Sequence, residues 1–377
     1  MRIHLLRDAD IAADAARRKK DVRTPRRNLL FSRTGVRYGV TNVGEGWKMS
    51  NENPLIEINH LKKYYSVSNG IFTNKKASLK AVDDVSLTVW KKHSLGIVGE
   101  SGCGKSTMGK TILRLIEPSG GSVVFGGKEL FHVEEKRFMD QKQLRSLRKE
   151  MAMVFQDPYG SLNPHMTIGD AVKAGVLRHK IVPREEVVEY CIEMLCACGL
   201  EKEAYASYPN EFSGGQRQRA VIARALALRP RFVVCDEPTA ALDVSIQSQV
   251  LNMMLDMQEQ MEFTYLFISH NLQVTRAFCD EIAVMYLGKI VEKGKADEVY
   301  YHSIHPYTKA LIASLPVSEP GRKKGERKII NSIPSMMDVP QGCRFHTRCP
   351  YADEKCRTEE PELRQIEDGH AAACHRA

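Results

Sequence analysis

Four short runs along the chain are apolar almost throughout: Ser94-Leu-Gly-Ile-Val98, Met151-Ala-Met-Val-Phe155, Phe232-Val-Val-Cys235 and Thr264-Tyr-Leu-Phe-Ile268. Such runs fit strands buried on both faces, and helical stretches lie between them, so the pattern predicts an α/β core. Strict alternation appears elsewhere. Leu55-Ile-Glu-Ile-Asn-His-Leu61 reads as an edge strand, and Ala81–Trp90 and Gly121–Phe125 join it in a small antiparallel sheet beside the core. Helical spacing runs from Thr107 to Ile116, through the charged stretch 133–150, across 165–210 and again over Ala220–Leu228, which Pro230 stops. Within the third of these, Val187, Val188, Cys191, Met194, Leu195 and Cys198 share one face, so 165–210 is expected to be an all-helical insertion.

Each apolar run ends in polar residues suited to chemistry. After Val98 comes Gly99-Glu-Ser-Gly-Cys-Gly-Lys-Ser-Thr107, a glycine-rich turn between a strand and a helix. Gly99, Gly102 and Gly104 let backbone N–H groups of Ser101, Cys103 and their neighbours converge on one anion at a helix N-terminus. Lys105 adds a full charge for β- and γ-phosphates, and Ser106 and Thr107 complete the motif, with the Ser106 hydroxyl suited to Mg²⁺. Gln156 ends the second run, where it can reach both Mg²⁺ and an attacking water. Asp236 and Glu237 end the third, and two carboxylates there can divide the work: Asp236 holding Mg²⁺ through its water shell, Glu237 polarising water at the γ-phosphate. His270 ends the fourth, within reach of the same place. Tyr65, upstream of the loop, is the candidate to stack on an adenine ring, against the plainer role of packing under the sheet.

Ser213-Gly214-Gly215-Gln216 opens another helix and is a second anion site of the same physical kind. One chain thus carries two phosphate sites and a single nucleotide core. Each chain would present its second site to a partner's nucleotide.

Charge and composition narrow the setting. The formal net charge is +9, but residues 1–48 hold twelve Lys or Arg and five Asp or Glu, which leaves 9 − 7 = +2 for the rest. The basicity belongs to the tail, and that argues against a nucleic-acid-binding face. Residues 1–48 are read as a disordered tail, and Met49 is a plausible translation start. No stretch approaches the about 18 to 20 consecutive apolar residues of a membrane helix.

Taken in order, these motifs resemble those of ABC ATPases: Gly99–Thr107 a Walker A loop, Gln156 a Q-loop, Phe212-Ser-Gly-Gly-Gln216 the signature, Phe232–Glu237 a Walker B strand, Ala240–Asp243 a D-loop and His270 an H-loop. Phe212 and Ala240 depart from the usual Leu and Ser. His305-Pro-Tyr-Thr-Lys-Ala-Leu311 and Pro340–Pro350 are similar to the C-terminal region of peptide/nickel importer ATPases, most of all the F-type subunit of dipeptide and oligopeptide importers. The resemblance implies an α/β P-loop NTPase core with an antiparallel β subdomain and an α-helical subdomain over 49–300, and a cysteine-bearing extension over 301–377. It implies ATP and Mg²⁺ as ligands and peptides as the first guess for the solute. The partners it implies are two membrane permeases and either a D-type sister ATPase or a second copy. A solute-binding protein would be an indirect partner, and the chain would sit peripherally on the cytoplasmic face of the inner membrane.

Cys343, Cys349, Cys356 and Cys374 follow C-x5-C-x6-C-x17-C. These gaps are wider than the paired spacing of structural zinc sites and favour a [4Fe–4S] cluster, toward which the resemblance also points; Zn²⁺ is the alternative. His346 and His375 are further possible ligands. A different class, a DNA-repair or translation ABC ATPase with a zinc module, would bring two cassettes per chain or a long coiled coil, and this chain has neither.

Overall fold

The computed structural model describes residues 54–68, 76–315 and 334–377; the tail and the Met49 start lie outside the described residues. Six strands come first, β1 (Pro54–Ser68), β2 (Lys76–Trp90), β3 (Ser94–Val98), β4 (Gly120–Phe125), β5 (Lys128–His132) and β6 (Arg137–Phe138). Seven more complete the set, β7 (Met151–Val154), β8 (Phe232–Asp236), β9 (Thr264–Ser269), β10 (Glu281–Tyr286), β11 (Lys289–Lys295), β12 (Arg364–Glu367) and β13 (His370–Ala372).

The four apolar runs are β3, β7, β8 and β9, and they lie side by side. The larger sheet has the order β12-β13-β11-β10-β3-β9-β8-β7, parallel from β10 to β7. β3, β8 and β9 are buried at every position because helices cover both faces, which is why they lack alternation. Their C-terminal ends line one edge, and the polar group after each run is delivered there. In open parallel sheets that edge is where ligands bind.

The smaller sheet is antiparallel, in the order β2-β1-β4-β5-β6. β1 is therefore not an edge strand. Its alternation is real, but β2 pairs with one side of it and β4 with the other, with bulges near Leu61 that bend the long hairpin. The charged stretch 133–150 also differs from expectation: it contains β6 and only a short helix, Gln141–Leu147, capped by Asp140.

The insertion is helical as expected, with helices Ile168–His179 and Val187–Ala197 packed on Gly214–Leu226. Val187, Cys191, Leu195 and Cys198 are buried, while Val188 is exposed, since it sits one residue off the stripe. A third apolar cluster joins Tyr286, Tyr307 and Phe345, and through it the C-terminal region packs against β10. Glu292 of β11, fully buried, accepts the N–H groups of Ile304 and His305 and meets His370 of β13 at 2.8 Å. The cysteine-bearing region thus contributes two strands, β12 and β13, to the main sheet, which no pattern in its polar sequence foretold.

Candidate functional site

The turn after β3 is the loop the sequence singled out, and it leads into the helix Lys105–Ile112. Gly104 caps that helix at φ 107°, and a Cβ there would lie 1.9 Å from the Ala81 carbonyl oxygen, so only glycine fits. Lys105 is 4% exposed, and its Nζ donates to the carbonyls of Gly99 (2.8 Å) and Glu100 (3.0 Å). Cys103 is buried, and burial pushes its thiol up despite the nearby Lys105, so it packs rather than reacts.

Ser106 Oγ donates to Asp236 Oδ1 at 2.6 Å, joining the first strand end to the third. Asp236 is 3% exposed, and desolvation raises its carboxyl despite that bond. A buried carboxylate beside a hydroxyl, both facing the loop, is a donor set suited to a hard cation.

Glu237 adopts φ 47°, a left-handed conformation held by its N–H donating to the Ile268 carbonyl of β9. There it meets two other strand ends. Gln156 Nε2 donates to Glu237 Oε2 at 3.3 Å, and His270 Nδ1 lies 3.1 Å from the same oxygen. The polar groups after β7, β8 and β9 thus meet in one place, as expected, and share one atom, which the strand order decides.

The Ser213–Gln216 segment is built but stands apart. Ser213 caps the helix Gly214–Leu226 in a reciprocal box with Gln216, the Ser213 hydroxyl accepting at 3.3 Å and Gln216 Oε1 accepting at 3.0 Å. Gly215 sits so close to Ile246 Cγ2 that a Cβ would come to 2.4 Å. Among the described residues no hydrogen bond joins this segment to the phosphate loop.

The two neighbouring tyrosines separate. The Tyr64 hydroxyl donates to Asp83, which also pairs with Arg344. Tyr65 is half-buried with the Lys63 ammonium 4.7 Å from its ring centroid. Tyr64 is thus committed to Asp83, while Tyr65 carries the Lys63 cation on its ring.

The four C-terminal cysteines share one neighbourhood. Cys343 N–H donates to the Cys356 carbonyl at 2.8 Å, and the thiols of Cys343, Cys349 and Cys356 each feel that of Cys374. Burial, then the neighbouring thiols, push Cys343 up to about 12. Among the described residues, however, no group of three or more His, Cys, Asp or Glu side chains is gathered to hold a metal ion. The arrangement of the described residues therefore gives the expected metal centre no support. His346 and His375 each engage a backbone carbonyl, of Cys343 and Glu359.

Residues that sequence reasoning passed over include Glu100, Tyr307 and Arg348. They form a contact between the phosphate loop and the C-terminal region for which no local pattern existed.

Comparison with known proteins agrees with this geometry. Residues 82–240 match the ABC transporter family and residues 291–356 match the oligopeptide/dipeptide transporter C-terminal region. The chain is 44% identical over 328 residues to the oligopeptide transport ATP-binding protein AppF of Bacillus subtilis (strain 168), covering 86% of this chain and 98% of that one. It is 45% identical over 317 residues to the di/tripeptide transport ATP-binding protein DppF of Pseudomonas aeruginosa (strain UCBPP-PA14), covering 84% and 96%. Among solved structures it resembles the dimeric post-hydrolysis ATP-binding cassette MJ0796 bound to ADP and Pi, with a TM-score of 0.56, 27% identity, and 64% and 98% coverage of the two chains. It also resembles cbiO1 of Clostridium perfringens, with a TM-score of 0.57, 25% identity, and coverage of 67% and 93%. The chain therefore belongs to the ABC transporter ATP-binding proteins, in the group with the oligopeptide/dipeptide C-terminal region, and is an ATPase.

Proposed function

We propose that this ATPase energises import of dipeptides or oligopeptides through a membrane ABC transporter, working as one of a pair of nucleotide-binding subunits. The observation that carries the hydrolytic part is the meeting of Gln156 and His270 on one oxygen of Glu237, next to the Ser106–Asp236 pair. The peptide assignment is supported by the C-terminal match and by the relatives' names.

In this reading ATP phosphates lie in the Gly99–Thr107 loop, cradled by its N–H groups and Lys105, with Tyr65 against the adenine. Ser106, Gln156 and Asp236 would hold Mg²⁺, which when bound neutralises charge on the β- and γ-phosphates. Glu237 takes a proton from water as the new oxygen–phosphorus bond forms and the bond to the β-phosphate oxygen breaks. His270 fixes that carboxylate and donates toward the γ-phosphate. The Ser213-Gly214-Gly215-Gln216 helix end belongs to the opposite nucleotide, that of a second copy or a D-type sister. Nucleotide is then the glue between subunits, and hydrolysis releases it.

No helix among the described residues is long and apolar enough to cross a membrane. Two permease subunits would hold the chain at the cytoplasmic face, with a solute-binding protein acting outside. For the cysteines the reading is a [4Fe–4S] cluster, with Zn²⁺ as the alternative, supported by their spacing. Iron, acid-labile sulfide and zinc analysis of anaerobically purified protein decides between them.

The test of the whole is pairing. Glu237→Gln with MgATP, alone and with its sister subunit, should elute at the size of a pair, and at the size of a single chain without nucleotide. A single chain under both conditions, with either partner, would defeat the reading.

A further inference from the structure

Glu100 is an acidic residue inside an anion-binding loop, one position after Gly99. Three different groups hold it. Its N–H donates to the Tyr307 hydroxyl at 2.9 Å, its carbonyl accepts from Lys105 Nζ at 3.0 Å, and its carboxylate takes two bonds from Arg348, at 2.8 and 2.9 Å. Arg348 is 4% exposed and lies beside the edge-to-face pair of Tyr286 and Phe345, with ring centroids 5.7 and 5.6 Å away. Its Nη1 is also 3.4 Å from the Tyr286 hydroxyl. Tyr307 is fully buried and packs on Tyr286, with centroids 4.6 Å apart. The bidentate fork, the neighbouring rings and the burial hold the Arg348 guanidinium against Glu100.

A free carboxylate at residue 100 would repel the triphosphate that the loop is built to receive, and a mobile residue 100 would let the converging N–H groups spread. We propose that Arg348 is a positioning residue for nucleotide binding: it neutralises Glu100 and fixes the start of the phosphate loop. Arg348 lies on the segment between Cys343 and Cys349, which also sends Arg344 to the Leu287 carbonyl and Asp83. The cysteine-bearing region is therefore a structural part of the ATP site, and whatever orders that segment tightens nucleotide, with the same coupling in reverse.

This rests on the reading of Gly99–Thr107 as the ATP loop, so Lys105→Ala is the control that tests that reading by itself. In the full chain, displacement of a fluorescent ATP analogue gives Kd, and steady-state hydrolysis gives KM and kcat. Arg348→Gln should raise Kd and KM for MgATP about tenfold, equivalent to about 1.4 kcal/mol, with kcat changed by less than about twofold. Glu100→Gln alone should bind at least as well as the parent chain. The double variant should return to within about threefold of it, because no unpaired carboxylate remains. Arg348→Lys, which keeps the buried charge and so the fold, should give an intermediate rise, since an ammonium cannot reproduce the fork. Unchanged affinity in both Arg348 variants, or a double variant as weak as Arg348→Gln, would overturn the proposal. Unchanged affinity in Lys105→Ala would instead overturn the assignment of the loop.

Discussion

Ser106 and Asp236 are 130 positions apart and joined by a 2.6 Å hydrogen bond, with the carboxylate buried and raised by desolvation. Burial of that charge costs stability in the absence of a cation. The raised carboxyl means that the penalty is complete above its folded-state value and fades as pH falls toward the ordinary carboxylate range. Asp236→Asn keeps the acceptor for Ser106 and removes the charge. It should raise the nucleotide-free Tm while lowering kcat by at least about 100-fold. Calorimetry and a phosphate-release assay check the two effects, and a lowered Tm would contradict the account.

Gln156 and His270 both meet Glu237 Oε2 in the nucleotide-free site, so their effects through that carboxylate should not add. His270→Ala should lower kcat about 100-fold and Gln156→Ala less, with the double variant close to His270→Ala alone. Hydrolysis rates at saturating MgATP supply the cycle. Full additivity would mean that the two residues serve different steps.

Pairing can be separated from folding at the second anion site. A Cβ on Gly214 would meet only Leu242 Cδ2, at an ordinary 3.7 Å, so Gly214→Asp fits the single chain. Its carboxylate would face a partner's phosphates at the helix N-terminus. In the Glu237→Gln background this change should leave ATP affinity of the single chain unaltered and abolish pairing, as read by light scattering. Normal pairing would exclude this helix end from the interface.

His305 supplies a pH test. Burial, partly offset by the Glu292 charge, depresses its ring to about 4, and its Nδ1 accepts the Tyr307 N–H as cap of the helix Pro306–Ser314. The folded ring gives up its proton more readily than the unfolded one, whose value is near 6.5. Stability is thus complete above about 6.5 and falls as pH drops from there toward 4, at up to about 1.4 kcal/mol per pH unit. His305→Asn keeps a capping acceptor without titrating. It should flatten the acid limb of Tm against pH, and an unchanged limb would place the sensitivity elsewhere.

Local and directional features were legible in the chain alone. Uninterrupted apolar runs can be buried only on both faces, so β3, β7, β8 and β9 and the polar groups at their ends could be read directly, as could the glycine loop and the Ser213 cap. Neighbours across space could not. The start of β1 was readable, but its continuation to Ser68 and its interior place were not, since the alternation stops at Leu61 and is the same with one partner strand or two. The convergence on Glu237 Oε2 needed the strand order and a left-handed backbone at that residue. The grip of Arg348 on Glu100 spans 248 positions, and only the packing of the Tyr286, Tyr307 and Phe345 rings brings the cysteine segment to the loop. Periodicity reports how each segment meets water and core; which segments meet one another is settled by how their side chains pack.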